Sequence, residues 1–296
     1  MNKVFKNIIL PLIPMVLWGS LFPVIKIGYN VFHIDPTSVS DILMFAAVRF
    51  SISGALLCIW SGFKKAEFEK PIGKNVFYIL LMGLFAIVLH YTFTYIALAY
   101  TDSSKTALLK QLGALLYTCF AFLFIKDEKF SVFKIAGAIV GFAGIIAINI
   151  GGGGKITFSF ADILIILASV CTVISSILTR VTAQKNSAFW VTGISQLAGG
   201  LILLIVALMM GARFPVFTVK STLVFAYICI ASIGGYTLWA YLMRTVSLSK
   251  LFIIKFAEPL FACIFGAVLL GENIFKIQYL LAFILISAGI IMGNKD

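Results

Sequence analysis

The sequence predicts an all-α integral membrane protein whose ten transmembrane helices form two inverted five-helix repeats. Three observations carry that expectation. The composition is too apolar for water, the apolar residues fall into ten runs of membrane-crossing length, and the second half of the chain echoes the first. Of 296 residues, 61% are hydrophobic and only 11% are Asp, Glu, Lys or Arg, with a mean hydropathy of +1.10. Soluble domains run near about 25% charged, so this chain has less than half the charge of a water-facing surface. A bilayer span takes about 20 mostly apolar residues. Ten spans with short connections therefore use up the chain and leave no room for a soluble domain.

The spans are bounded by charges, Gly or Pro. The first, 8–31, follows Lys3 and Lys6; it is too long for a signal peptide and lacks a clear small-residue cleavage site. The second is 42–61, closed by Lys64 and Lys65. Spans 75–99 and 104–125 flank the polar Thr101-Asp102-Ser103, and 132–150 follows the charged stretch from Lys126 to Lys129. The remaining five are 161–182, 189–210, 222–244, 250–270 and 275–293. Residues 1–150 thus form one five-helix repeat and 161–296 the other, joined by a Gly-rich linker at 151–160. The linker's Gly151-Gly152-Gly153-Gly154-Lys155 is not a phosphate loop, because Asn149 and Ile156 stand where that pattern needs Gly and Ser or Thr.

Basic residues orient the chain. With the N-terminus in the cytoplasm, the cytoplasmic segments hold fourteen: Lys3, Lys6, Lys64, Lys65, Lys70, Lys74, Lys126, Lys129, Lys134, Arg180, Lys185, Arg244, Lys250 and Lys295. The outer segments hold five: Lys105, Lys155, Arg213, Lys220 and Lys276. Cytoplasmic loops collect Lys and Arg, so both termini are expected inside, in the plasma (inner) membrane. That bias accounts for much of the net charge of +12 without invoking nucleic acid. The five cysteines (Cys58, Cys119, Cys171, Cys229, Cys263) sit in apolar runs with no metal or disulfide spacing, so no cofactor or metal is expected.

A shift of 145 residues lays 91–146 on 236–291 without a gap. Tyr91-Thr92 falls on Tyr236-Thr237, Ser104-Lys105 on Ser249-Lys250, Lys110 on Lys255, Asp127 on Glu272, and Ala143-Gly144-Ile145-Ile146 on Ala288-Gly289-Ile290-Ile291. Five spans per half is an odd number, so the second copy enters from the opposite face. Inverted repeats of this kind mark secondary transporters, with a site near the midplane where the halves meet.

The chain resembles the drug/metabolite transporter superfamily, in its EamA-like branch. The residues that carry the likeness are Trp18-Gly19-Ser20 and Lys26 in the first span, Arg49-Phe50 in the second, and Lys126-Asp127-Glu128 after the fourth. Glu258-Pro259 and Leu270-Gly271-Glu272 carry it in the ninth, with Gly144 and Gly289 in the fifth and tenth. The resemblance covers essentially the whole chain. It implies a proline in the fourth span as well as the ninth, but Ala114 occupies the position matching Pro259. A broken helix is therefore expected only in the second half.

Charges within the membrane cost at least about 2.5–3.5 kcal/mol each and are functional candidates by default. They are Lys26, Arg49, Lys110 and Lys255 against one acid, Glu258. Lys255 and Glu258, three apart, share a helix face and either pair with each other or serve a ligand. Lys110, with Gly113 three residues on, is expected to face the transport cavity. Lys26 is expected to snorkel. Arg49 either ties helices together or meets ligand. Trp18, Tyr91, Tyr95, Tyr236, Trp239 and Gln111 complete the substrate-binding set, and His90 reads as a helix-packing residue. Plastid sugar-phosphate translocators are similar in holding phosphate with lysines on the fourth and ninth helices, so the resemblance adds weight to an anion. The glycine pairs Gly137/Gly141 and Gly289/Gly293 read as close helix packing.

The expected function is secondary transport of a small organic anion or zwitterion by alternating access, with Glu258 able to carry a coupling proton. Beyond the bilayer the expected partner is that substrate, and the chain acts as a monomer or homodimer. Export of neutral or cationic drugs, or flipping of a lipid-linked sugar, are the alternatives. An enzyme is not expected, because no paired carboxylates, metal cluster or nucleophile beside a histidine define a reaction site.

Overall fold

The protein is described by a computed structural model, and the description extends to residues 9–63, 71–120, 123, 131–148, 158–246, 251, 254–255 and 257–293. These residues form ten helices, and no strand occurs among them: α1 (Leu10–Val31), α2 (Val39–Phe63), α3 (Lys74–Tyr100), α4 in two segments (Ser103–Leu109 and Gln111–Phe120), α5 (Val132–Ile148), α6 (Phe160–Ala183), α7 (Ala188–Met209), α8 (Val219–Thr245), α9 (Ala257–Leu270) and α10 (Ile277–Gly293). Each coincides with one of the ten apolar runs. The Gly-rich linker, Asp127 and Ser249-Lys250 lie outside the described residues.

Helices that correspond under the 145-residue shift pack on one another. α2 lies along α7 and α5 along α10, and these are the two most extensive helix contacts. In lipid such packing depends on close backbone approach, which small residues permit. On the α5–α10 seam, a Cβ at Gly289 would stand 2.5 Å from the Gly137 carbonyl oxygen and 2.8 Å from the Gly141 nitrogen. The glycines that read as packing residues thus join the two halves within one chain. α1 runs between α8 and α9 and closes the central region.

Three departures from regular α geometry lie at this centre. α3 widens into a π turn at Leu84–Leu89, just before His90, and such turns are frequent at functional sites. The other two are interruptions at Lys110 and Lys255. The expectation of a break in the second half alone is therefore corrected. α4 stops at Leu109 and restarts at Gln111, although Ala114 offers no proline. The backbone bonding is the same in both halves. Lys110 N–H donates to Thr106 O (3.0 Å), and Gly113 N–H to Lys110 O (3.0 Å). Lys255 N–H donates to Leu251 O (2.9 Å), and Glu258 N–H to Lys255 O (3.1 Å). All three residues of one set (Thr106, Lys110, Gly113) map onto the other (Leu251, Lys255, Glu258) by 145. The tightened turn at each lysine is a property of the repeat, with Pro259 an addition on one side.

Candidate functional site

A cavity of about 90 Å³ lies where α1, α3, α4, α6, α8 and α9 converge. That is room for several water molecules. Of the residues singled out from the sequence, Lys110, Lys255, Glu258, Gln111, Tyr91, Tyr236, Trp18 and Trp239 line it. The two lysines occupy the two helix interruptions. Lys110 Nζ lies 4.9 Å from the centre of the Phe22 ring, and Lys255 Nζ lies 5.5 Å from that of Trp239. Tyr91 and Tyr236, another pair related by 145, meet directly: the Tyr236 hydroxyl donates to the Tyr91 hydroxyl at 2.8 Å. The pseudo-twofold relation between the halves therefore runs through the cavity.

The Trp18-Gly19-Ser20 motif has a local reason. Trp18 packs edge-on against Tyr236 and tilted against Trp239, at 5.4 Å in each case. A side chain at Gly19 would stand 2.7 Å from Phe261 Cβ and 2.8 Å from the Glu258 carbonyl oxygen, so glycine lets α1 lie against α9. Ser20 donates to the Leu17 carbonyl and is hydrogen-bonded to the Tyr227 hydroxyl. Glu258 is buried (4% exposed) and lines the same cavity as Lys110, Lys255 and Tyr91.

Arg49 and Tyr95 stand behind this wall, both fully buried. Arg49 Nε donates to Ser232 Oγ at 2.6 Å and Nη1 donates to the Tyr95 hydroxyl. The guanidinium also lies 4.6 Å from the centre of the Phe50 ring and 5.4 Å from that of Tyr91. The contacts tie α2 to α3 and α8 through hydroxyls and rings. Among the described residues Arg49 makes no ion pair.

Sequence reasoning did not single out α6. Thr172, Ser175, Ser176 and Thr179 line the cavity from one face of that helix. Their spacing of three, four and seven in an apolar run is the signal that could have found them. Three of these hydroxyls donate to their own helix: Thr172 to Ala168 O (3.1 Å), Ser175 to Thr172 O (3.1 Å) and Thr179 to Ser175 O (2.7 Å). Committed as donors there, they offer acceptor lone pairs elsewhere. His90 also lines the cavity and packs on α6, with Nδ1 3.0 Å from Ala168 O and 3.1 Å from Thr172 Oγ1. Since a carbonyl only accepts, Nδ1 carries the proton in that contact. Among the described residues, Gln111 Oε1 is buried without a hydrogen-bond partner.

The two ends of the bundle differ. At the end where α1 begins and α10 finishes, a groove of about 910 Å³ opens between α1, α3, α7 and α8. It reaches Leu17, Thr237 and Leu238, neighbours of the cavity residues Trp18, Tyr236 and Trp239. At the opposite end, carboxylates join the helices. Glu272 accepts from Ser103 and Ser104 of α4, Asp102 meets Tyr279 and Lys276, and Lys105 Nζ lies 2.8 Å from Asp162 of α6.

Comparison with known proteins gives a consistent answer. The model of the EamA-like transporter family matches twice, over residues 5–150 and 159–294. An uncharacterised transporter of Archaeoglobus fulgidus is 26% identical over 275 residues, covering 90% of each chain. The uncharacterised inner membrane transporter YedA of Escherichia coli K12 is 27% identical over 288 residues, covering 94% of this chain and 87% of its own. A solved crystal structure at 19% identity superposes with a TM-score of 0.67 over 97% of this chain and 95% of that one, a likeness of fold. With both halves matched by one family model, the chain belongs to the EamA-like transporter family, within the drug/metabolite transporter superfamily.

Proposed function

We propose that this transporter moves a small organic anion or zwitterion by alternating access, with the central cavity as its binding site. The observation that carries the reading is the pair Lys110 and Lys255. Two symmetry-related cations stand at helix interruptions in one cavity, with Glu258 the single carboxylate among the described lining residues. An anion restores the charge balance. A cation would add to an existing surplus in a low-dielectric interior, which counts against a cationic drug. The acceptor row on α6 favours a zwitterion, because it suits a ligand that also carries N–H or O–H donors. The cavity's central position favours transport over lipid flipping, which needs a groove open to the bilayer.

The site is tested by thermal stabilisation of the purified protein against organic anions, amino acids, sugar phosphates and cations. A ligand that binds only the folded state raises Tm by mass action. Anions or zwitterions are expected to raise Tm in the wild type, and the rise is expected to vanish in Lys110→Ala. Stabilisation by cations alone would overturn the reading.

Among the described residues Glu258 is the one acid that lines this cavity, and it is the proposed carrier of a coupling proton. In reconstituted vesicles, Glu258→Gln is expected to retain exchange of substrate for substrate. It is expected to lose net transport driven by a pH gradient. Unchanged pH-driven transport in Glu258→Gln would remove the residue from coupling.

A further inference from the structure

Resting on the alternating-access reading, the geometry points to a second functional element away from the cavity. We propose that Glu272 is the latch that holds the transporter closed at the bundle end where α9 gives way to α10. Its carboxylate grips the start of α4 with both oxygens. Oε1 accepts the Ser103 N–H at 2.9 Å, and Oε2 accepts the Ser104 N–H at 3.0 Å and the Ser104 hydroxyl at 2.6 Å. Lys26 of α1 stands 4.0 Å from Oε1, so the residue expected to snorkel reaches this carboxylate. One side chain thereby joins α1, α4 and the α9–α10 connection, which belong to different halves of the chain.

The surroundings are shaped for this contact. Gly271 takes φ of +67°, a conformation that glycine adopts without strain, and so turns the chain from the end of α9 onto Glu272. Gly266 lies beneath the carboxylate. A Cβ there would come within 2.8 Å of Glu272 Oε2 and 3.0 Å of Ser104 Oγ, so the space exists only because no side chain occupies it. Ser104 precedes Lys110 by six residues, a rise of about 9 Å along a helix, and Lys26 directly follows Ile25, which lines the cavity. The latch therefore spans helices that reach the cavity wall, on the side away from the open groove.

The partners are those that the repeat preserves. Glu272 aligns with Asp127, and Ser104-Lys105 with Ser249-Lys250. The acid of one half grips the serine of the other, which is what a contact exchanged between two mirror-related states requires. A charge-assisted cluster of this kind is strong enough to bias the equilibrium, yet it consists of hydrogen bonds that open without unfolding a helix.

The test reads access to the cavity and needs no substrate. Leu98, which lines the cavity from α3 and is 1% exposed, is replaced by cysteine as a reporter. A membrane-impermeant maleimide is added to the outer face of intact cells. Labelling of the same protein without the reporter is subtracted, and Phe275→Cys, 94% exposed beside the latch, serves as the surface control. Introducing Glu272→Gln is expected to speed labelling of Leu98→Cys about tenfold, the loss expected for charge-assisted bonds, with Phe275→Cys unchanged. Ser104→Ala, which removes one of the three hydrogen bonds, is expected to give a smaller increase and carries the test if Glu272→Gln fails to reach the membrane. Equal labelling of Leu98→Cys with and without these substitutions would overturn the latch. Labelling of Phe275→Cys only from the cytoplasmic face would overturn its placement at the outer surface. Neither result depends on which ligand the cavity takes, so a failure of the latch is distinct from a failure of the anion reading.

Discussion

Gly54→Ala is expected to lower the melting temperature of the purified protein by on the order of 5 °C, and Gly54→Leu to yield no monodisperse protein. The reason is the seam between α2 and α7. A Cβ at Gly54 would stand 2.2 Å from the Leu197 nitrogen, 2.6 Å from its Cα and 2.8 Å from the Gly193 carbonyl oxygen. All of these are backbone atoms, so no rotamer change relieves the overlap and the helices must part. Gly200 approaches from the other helix, where a Cβ would meet the Ser51 nitrogen at 2.4 Å. Separating the backbones forfeits dispersion contacts along the whole seam, and in lipid no hydrophobic term between helices replaces them. Gly62 is the internal control. It lies eight residues further along α2, nothing stands within 4 Å of its Cβ position, and Gly62→Ala is expected to melt like the wild type. Equal melting of Gly54→Ala and Gly62→Ala, followed in detergent, would show that the seam is looser than described.

Removing either cavity lysine is expected to weaken binding of the transported anion by about tenfold to a hundredfold. A hydrogen bond to a charged group contributes roughly 1.5–3 kcal/mol, and one tenfold step in affinity is about 1.4 kcal/mol. The gross attraction is larger, about 4 kcal/mol for charges 4 Å apart at an effective dielectric of 20, and desolvation offsets part of it. Lys110 and Lys255 share one cavity with Glu258, so their effects are expected to couple. The double variant Lys110→Ala/Lys255→Ala should lose less than the sum of the single losses once one anchor is gone. Arginine is not expected to rescue either position. Its planar fork needs room that a tight turn beside Phe22 or Trp239 does not provide.

Much of the architecture was legible in the sequence because the bilayer imposes a single dominant rule. A helix that crosses lipid must be apolar for about 20 residues, so ten runs could be read as ten helices, and the 145-residue repeat could be read through its few paired polar residues. The direction in which each side chain faces was less accessible. α2 is apolar nearly all round, so periodicity gives no hint that Arg49 turns towards Ser232 and Tyr95 instead of the cavity. Tyr95, which belongs to the substrate-binding set by sequence, lies one layer behind Tyr91 and outside the cavity lining. The interruption at Lys110 was hidden because proline is the breaker that a sequence advertises, and here the turn exists without one. The α6 wall was missed because serine and threonine are common in membrane helices, where they bond their own carbonyls; their spacing shows one helix face, and the fold shows that this face lines the cavity. Glu272 was visible as the partner of Asp127 in the repeat, while the atoms it grips could be named only once α4 and α9 were in place.

The most direct test is exchange in reconstituted vesicles. Vesicles are loaded with the anion or zwitterion that gives the largest thermal shift, and uptake of the same compound in labelled form is followed for the wild type and for Lys110→Ala/Lys255→Ala. Saturable exchange in the wild type that is lost in the double variant is the predicted result. Equal exchange in both, or a wild type that exchanges only cations or neutral compounds, would contradict an anion site built on the two lysines.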